Sequence, residues 1–287
     1  MKKIFALCLF LAAVSLHAQE LPAYRIYNSK GKAVDFGKMV RQLEKYDVVL
    51  FGEYHNSSIV HWLQLKATEE LYNRAGDRLL LGAEMFERDN QEAINRYLKG
   101  ETDDKKLAEE ARLWPNYKTD YKPLLDFAKS KKLPMVATNV PRRYASAVAK
   151  KGIDSLYLEA SEKDWVVQLP FTVTLETPGY EEMRKMMGDH AGGKAMNFVA
   201  AQAIKDATMA ESILKNLQPG RILLHYHGDF HSKEYGGIYW YLKQARPDLK
   251  IAVISVAESE EQKLPLPADF VKTDFNLVVP KDITKTY

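Results

Sequence analysis

Cysteine is nearly absent from this chain: among its 287 residues the only one is Cys8. The rest of the chain therefore has no disulfide, no thiolate metal site, no cysteine nucleophile and no attachment site for haem c. Any bound metal would need imidazole, carboxylate or phenol ligands. The sequence also lacks a Gly-x-Ser-x-Gly elbow, a His-Glu-x-x-His helix and a phosphate-binding glycine loop. The usual signals of several hydrolase and nucleotide-binding classes are thus missing.

Long apolar runs are also scarce, and the clearest one occupies residues 4–14, directly after the basic pair Lys2 and Lys3. This run is too short to span a membrane. A basic start, an apolar stretch and a short segment ending in Ala18 predict a secretory signal of residues 1–18. Lipidation at Cys8 is disfavoured, because a bulky leucine precedes it and the apolar stretch would be cut short. We therefore expect an exported protein without a transmembrane helix in its mature chain.

Neither sign of charge is in large excess. Removal of residues 1–18 takes away two lysines and no acid, so the formal net charge falls from +3 to +1. Nucleic-acid binding is not expected as the main task of such a nearly neutral protein. With 46% hydrophobic residues, residues 19–287 are long enough to fold as one domain with a sizeable core.

Apolar runs and helical periodicities alternate along the chain. The sequence predicts five strands with helices between them, at residues 48–51, 79–85, 134–138, 221–224 and 250–256. A weaker pattern at residues 275–278 predicts a further strand at the sheet edge. Between about residues 153 and 193 the periodicity fades and glycines and prolines accumulate, which indicates a helical lid or insertion. We therefore expect an α/β fold: a single domain with a mostly parallel sheet flanked by helices, and a helical lid.

Two copies of one short pattern, Gly-x-x-His, follow two of the predicted strands. They are Gly52-Glu53-Tyr54-His55 and Gly228-Asp229-Phe230-His231, and five of the seven histidines lie in or beside these segments. Open α/β sheets place ligands at the carboxyl ends of their strands, and glycine leaves room for a ligand there. Two such turns, with Glu84 at the end of a third strand, predict a site at this edge of the sheet.

The strand ends are expected to bring together a set of imidazole, carboxylate and amide side chains: Glu53, His55, Glu84, Asn139, Asp229 and His231. Without thiolates, imidazole and carboxylate are common ligands of zinc, iron or manganese. The alternative is structural, with buried hydrogen-bonded acids and histidines that bond loop carbonyls. The same choice applies to His225 and His227, which alternate along one strand and so share a face.

The predicted lid carries a second group of candidates, which mixes methionine, aromatic and basic side chains: Tyr180, Met183, Met186, Met187, His190 and Lys194, with Met196 and Phe198 following. Methionines and aromatic rings form an adaptable apolar surface. Tyrosine, histidine and lysine can supply an iron ligand and anchor carboxylates, so the group suits a flat amphipathic cofactor such as haem. An ordinary amphipathic helix that packs its methionines into the core would show the same pattern.

Several longer stretches, spread over nearly the whole mature chain, match one protein family. In chain order they are Val49-Leu50-Phe51-Gly52-Glu53-Tyr54-His55, Leu81-Gly82-Ala83-Glu84-Met85-Phe86-Glu87-Arg88, Trp114-Pro115-Asn116-Tyr117, Tyr121-Lys122-Pro123-Leu124-Leu125, Val136-Ala137-Thr138-Asn139-Val140-Pro141-Arg142, Phe198-Val199-Ala200-Ala201-Gln202, Asp206-Ala207-Thr208-Met209-Ala210 and Gly228-Asp229-Phe230-His231. Together they make the chain resemble the ChaN-like haem-binding uptake proteins of the Tiki superfamily. That superfamily also includes erythromycin-esterase-like and TraB-type proteins.

The resemblance implies an exported protein, periplasmic or outer-membrane-associated, that binds b-type, non-covalent haem in haem or iron uptake. An outer-membrane haem receptor is the implied partner. In this family two subunits can enclose a pair of stacked haems, so we expect a homodimer when haem is bound. The family uses a tyrosine as iron ligand, and phenolate favours Fe(III); Tyr180 and Tyr54 are the candidates here. His190 and Lys194 are the candidates for the haem propionates.

The same superfamily offers an alternative function, a metal-dependent hydrolase similar to the Tiki proteases or the erythromycin esterases. A divalent metal such as zinc or manganese would then be bound by His55, Glu84 and His231, with Glu53 as general base for a bound water. Asn56 stands where relatives often have an aspartate, which weakens the metal-site hypothesis. The lipobox of some relatives is absent, which argues against a membrane anchor. We expect a non-enzymatic haem-binding protein; a structural envelope protein with a vestigial site is a third alternative.

Overall fold

The computed structural model describes residues 21–168, 171–188 and 193–287. The predicted signal, residues 1–18, therefore lies outside the described residues. The described residues form eight β-strands: β1 Arg25–Asn28, β2 Ala33–Val34, β3 Val48–Glu53, β4 Leu79–Glu87, β5 Met135–Asn139, β6 Ile222–Gly228, β7 Ile251–Ser259 and β8 Phe275–Pro280. They also form nine α-helices: α1 Phe36–Leu43, α2 Ser58–Ala75, α3 Gln91–Lys99, α4 Asp104–Glu110, α5 Lys122–Lys131, α6 Arg142–Lys151, α7 Tyr180–Met187, α8 Ala195–Asn216 and α9 Gly237–Ala245.

All eight strands belong to one sheet, in the order β2-β1-β8-β7-β3-β6-β4-β5. The six strands from β8 to β5 are parallel, and β1 and β2 add an antiparallel edge. The structure confirms the predicted α/β fold with a mostly parallel sheet flanked by helices. The predicted edge position of the strand at residues 275–278 is wrong, because this strand is β8 and pairs with both β7 and β1. Strands of four and two residues cover its outer side, too short to be recognised from their pattern.

Strand β3 shows how the core is divided between the two faces of the sheet. Val49 and Phe51 pack into the core on the side of α1 to α5. Val48 and Leu50 point to the other side, where they pack against α8 and α9. Burial on both faces is what a parallel strand covered by helices requires. Polar side chains of a functional site are therefore expected at the ends of such strands.

The predicted lid contains two short 3₁₀ turns and helix α7 among its described residues. Tyr180, the first residue of α7, is buried against Val199 and Ala203 of α8. This contact fixes α7 beside the carboxyl ends of the central strands. In the described part of the chain, none of the helices combines the length and the hydropathy needed to cross a bilayer.

Candidate functional site

The carboxyl ends of β3, β4, β5 and β6 meet at one edge of the sheet, and a cavity of about 920 Å³ opens there. Helices α6, α7 and α8 supply its other walls. We call it the strand-end cavity, and its volume is that of small-molecule and cofactor sites, roughly 300–1,000 Å³. The structure brings together at this cavity the set that the sequence places at the strand ends: Glu53, His55, Glu84, Asn139, Asp229 and His231.

In the first Gly-x-x-His turn, Glu53 is a buried carboxylate with several donors around it. Tyr121 donates its hydroxyl to Oε1 at 2.8 Å, and Gln64 donates its amide to Oε2 at 2.9 Å. His55 Nδ1 lies 2.9 Å from Oε1, and His61 Nε2 lies 3.4 Å from the same oxygen. Burial alone would raise the pKa of Glu53, but the contacts with both histidines lower it to about 2. Glu53 is thus ionised, and His55 carries its hydrogen on Nδ1.

The imidazole of His55 lies at the cavity wall, with one nitrogen open. Its side chain is 33% exposed. Its ring packs edge-on against that of Trp114, with 4.9 Å between the two ring centroids. Nε2 forms no hydrogen bond with any described residue and lies directly over Gly228, where a Cβ atom would be 2.8 Å from it. Burial works against protonation, yet Glu53 and Glu84 together raise the pKa of His55. An imidazole with its Nδ1–H held by a carboxylate is the usual arrangement of a metal ligand or general base.

In the second Gly-x-x-His turn, His231 lies between two buried carboxylates. Its Nε2 is 3.1 Å from Oε1 of Glu84, and its Nδ1 contacts Oδ1 of Asp206. Glu84 also accepts the backbone N–H of Gly228 at 2.8 Å, and Asp206 accepts the hydroxyl of Tyr180 at 2.7 Å. Burial would lower the pKa of His231, but the two carboxylates raise it to about 10. The charge of His231 in turn holds the pKa of Glu84 well below its ordinary value.

The three predicted metal ligands, His55, Glu84 and His231, thus reach the same cavity in different chemical states. Both nitrogens of His231 carry hydrogens directed at carboxylates, so this ring has no lone pair for a metal. Among the described residues, no three histidine or acidic side chains are arranged to hold a metal ion. The metal site stays a prediction, and it would require His231 to lose the Nε2 proton that lies against Glu84.

The other histidine pair, His225 and His227, forms a buried chain outside the cavity lining. His225 Nε2 is 2.7 Å from the hydroxyl of Thr138, the two Nδ1 atoms are 3.1 Å apart, and His227 Nε2 is 2.7 Å from the hydroxyl of Ser232. Burial lowers the pKa of His227 to about 3 and that of His225 well below its ordinary value. Both rings are therefore neutral, and their hydrogen bonds match the structural alternative.

The four residues predicted to contact haem have different positions. Tyr54 lines the cavity and donates its hydroxyl to the carbonyl of Val256 at 3.1 Å; burial raises its pKa to about 12. Tyr180 is buried, and burial beside Asp206 raises its pKa well above the ordinary value. Lys194 is exposed just before α8, and His190 lies outside the described residues. These four roles stay predictions.

The helical side of the cavity is apolar, with cations near it. Met183 and Met187 of α7 and Phe198 of α8 line this side. Arg142 and Lys205 also line the cavity, and the charge of Lys205 helps to lower the pKa of Glu84. The wall therefore places two positive charges beside the soft apolar side chains of α7 and α8.

Several lining residues are not among the site residues that the sequence analysis assigns to a ligand or metal. Phe198, Gln202 and Lys205 follow helical spacing of four and then three residues, so their common face on α8 could have been recognised. Trp114 contributes to the family resemblance but not to any predicted site. The same is true of Asp206, which contacts His231 without lining the cavity. No pattern could indicate Tyr287, whose place in the lining depends on contacts with segments far away in the sequence.

Comparison with known proteins places these features in a family. Residues 39–242 match the family model described as haem-binding uptake, Tiki superfamily, ChaN. None of the curated proteins matches the chain. Among solved structures, the chain is similar to ChaN of Campylobacter jejuni, a structure described as cofacial haem binding. The two share 17% sequence identity with a TM-score of 0.69, over 89% of this chain and 96% of that chain.

Other solved structures are less similar. An erythromycin esterase mutant in its open conformation shares 13% identity with a TM-score of 0.47, over 90% of this chain and 83% of that chain. The type III effector HopBA1 shares 13% identity with a TM-score of 0.46, over 84% of this chain and 91% of that chain.

Proposed function

The chain belongs to the haem-binding uptake family of the Tiki superfamily, and we propose that it binds haem in the strand-end cavity as a carrier in haem uptake. A haem site needs an iron ligand, an apolar wall for the porphyrin and cations for the propionates. The strand-end cavity offers all three.

The observation that carries the proposal is the state of His55. Its Nε2 is open to the cavity, and its Nδ1–H is held by the ionised Glu53 at 2.9 Å. Histidines that ligate metals commonly donate their other ring N–H to a carboxylate, which fixes the ring and strengthens the ligand. Glu53 is itself fixed by Tyr121 and Gln64. We therefore assign His55 as the ligand of haem iron.

The rest of the cavity fits the porphyrin and its propionates. Met183, Met187 and Phe198 offer thioether and aromatic surface to a flat apolar ring. Arg142 and Lys205 can each pair with a carboxylate. No cysteine follows Cys8, and we propose that haem is bound non-covalently. When bound, haem supplies the iron, and the side chains of the protein hold and orient it.

The tyrosines named from the sequence are alternatives to His55 as iron ligand. Tyr54 would have to release the carbonyl of Val256, and Tyr180 would have to release Asp206. Both phenols are neutral before binding, because burial raises their pKa. Lys194 and His190 remain alternatives for the propionates.

The proposal extends to a homodimer that encloses haem. Three apolar side chains at α7 and the start of α8 are exposed: Met186 by 70%, Met196 by 42% and Phe198 by 36%. A second copy seated over the cavity would cover these three side chains. We further propose export through the signal of residues 1–18 and delivery of haem from an outer-membrane receptor.

The test is a haemin titration of residues 19–287, followed by absorption spectroscopy and size-exclusion chromatography. We expect a Soret shift that saturates at stoichiometric haemin, together with a larger species. His55→Ala should weaken haemin binding by about tenfold or more, because it removes the iron ligand. Asn56→Ala is the control: it changes the next side chain of the lining, and its affinity for haemin should stay within about twofold of that of the unmodified protein. Absence of a Soret shift in the unmodified protein would contradict the proposal.

The hydrolase is a second candidate, and the His55–Glu53 pair is the observation that favours it. An imidazole held by a carboxylate can act as a general base on a water in the cavity. In the metal-dependent version, His55, Glu84 and His231 bind zinc or manganese and Glu53 is the base. Esterase and peptidase assays with and without these metals test it. If the unmodified protein shows no activity that is lost in His55→Ala, the hydrolase is ruled out.

A further inference from the structure

The last described residues, Lys285–Tyr287, run beside the loop of the first Gly-x-x-His turn and reach the lining of the strand-end cavity with Tyr287. We call them the strap. They follow β8 and return to the loop after β3, where Lys285 pairs with Ser57 in an antiparallel bridge. The backbone N–H of Thr286 donates to the carbonyl of Asn56 at 3.1 Å. The strap is thus joined to the residue that follows His55.

Side-chain contacts hold the strap at two more points. Thr286 donates its hydroxyl to Oδ2 of Asp120 at 2.7 Å, and Lys285 forms an ion pair with Glu258. Asp120 also accepts the amide of Asn116, and the same amide donates to the carbonyl of His55 at 2.8 Å. The strap and the His55 turn therefore share one hydrogen-bonded network, so their relative position is fixed.

This network places Tyr287 in the lining of the cavity. Tyr287 is 63% exposed, and its hydroxyl forms no hydrogen bond with a described residue. The residue is thus largely uncovered on a segment that is held at three points, so a ligand in the cavity can pack against its ring. Trp114, edge-on to His55, lies in the same lining.

We propose that Tyr287 is a ligand-contacting residue whose ring packs against the porphyrin of bound haem. This inference rests on the proposed function and adds a part of the site that lies beyond the family-matching segment. The contribution of Tyr287 to haem affinity comes from the contact of its ring and not from its hydroxyl. We therefore expect the same contribution with a porphyrin that lacks iron.

The experiment compares two probes, haemin and metal-free protoporphyrin IX, with the unmodified protein and three variants. Tyr287→Ala should weaken binding of both probes about tenfold, whereas Tyr287→Phe should stay within about twofold for both. Thr286→Val loses the hydrogen bond to Asp120 but keeps the side-chain shape, and it should weaken both probes about threefold through a less fixed ring. Thermal unfolding of each variant checks that the fold is intact.

Each outcome separates the inference from the function beneath it. If Tyr287→Ala binds each probe as tightly as the unmodified protein does, the strap inference is overturned and the proposed function is not. A loss confined to haemin and shared by Tyr287→Phe would also overturn it, because the hydroxyl would then act on the iron. Failure of the unmodified protein to bind haemin would overturn the proposed function and the inference together.

Discussion

The two Gly-x-x-His turns have the same pattern in the sequence and opposite chemistry in the structure. His55 is one-third exposed, has one carboxylate partner and keeps Nε2 open to the cavity. His231 is 5% exposed and lies between Glu84 and Asp206, with a carboxylate at each nitrogen. One ring can bind a ligand, while the other neutralises buried acids.

The number of carboxylates explains the difference. At His55 one carboxylate holds the Nδ1–H and Nε2 has no hydrogen-bond partner, although Glu84 joins Glu53 in raising the pKa of the ring. A second carboxylate on that nitrogen favours the doubly protonated ring, because the pKa rises with each negative neighbour. Asp206 comes from α8 and not from the turn itself, so the motif alone does not determine which role its histidine has.

The largest expected difference between the two histidines is in stability, measured when each imidazole is removed in turn. His231→Ala should lower the free energy of unfolding by about 3–5 kcal/mol, because two buried carboxylates lose their shared cation. His55→Ala should cost about 1 kcal/mol, because Glu53 keeps the donors Tyr121 and Gln64. Urea denaturation at pH 7 measures both. Similar losses in the two variants would show that His231 is not the charged centre of a buried network.

A second test uses pH. The pKa of His231 is raised to about 10 in the folded state, against about 6.5 for an unfolded histidine. The folded state therefore holds one more proton between these values, so this contribution to stability is complete below about pH 6.5 and disappears as the pH approaches 10.

The free energy of unfolding should accordingly fall by about 1.4 kcal/mol per pH unit between pH 7 and 9. Urea denaturation at pH 7, 8 and 9 measures the slope, and His231→Gln is the control that should flatten it. A flat profile in the unmodified protein would mean that His231 is neutral at pH 7.

Much of the fold follows from the sequence, because parallel strands buried on both faces leave uninterrupted apolar runs. Strands β3 to β7 lie where such runs occur. The position of β8 could not be foreseen, since its neighbour β1 has only four residues and pairs with it from the far end of the chain. Strand order depends on contacts between distant segments, which local patterns do not encode.

For the candidate site, the sequence indicates which residues meet but not their chemical states. The carboxyl ends of parallel strands meet at one edge, so Glu53, Glu84 and both turn histidines were predictable as neighbours. The protonation of His231 depends on Asp206, which belongs to a family-matching stretch but was not predicted to lie at the site. The strap depends on hydrogen bonds between residues 56 and 286, which no periodicity predicts.

The smallest and sharpest test compares the glycines that open the two turns. A Cβ atom on Gly52 would lie 2.4 Å from Oδ1 of Asp229 and 3.0 Å from the backbone of Asp229 and Ile254. A Cβ atom on Gly228 would lie 2.8 Å from the His55 ring, and its next neighbour, Glu84, would be 3.6 Å away. Backbone cannot move aside as a partly exposed ring can, so the two substitutions act on different properties.

Gly52→Ala should therefore lower the free energy of unfolding by about 2–3 kcal/mol. Gly228→Ala should cost about 1 kcal/mol or less, yet weaken haemin binding about tenfold, because His55 must turn away from its place over Gly228. Urea denaturation and haemin titration of the same two samples separate the effects. If Gly228→Ala binds haemin as well as the unmodified protein does, the observed position of His55 is not the one that holds the iron. Tyr54, on the same turn, would then be the first residue to test as the ligand.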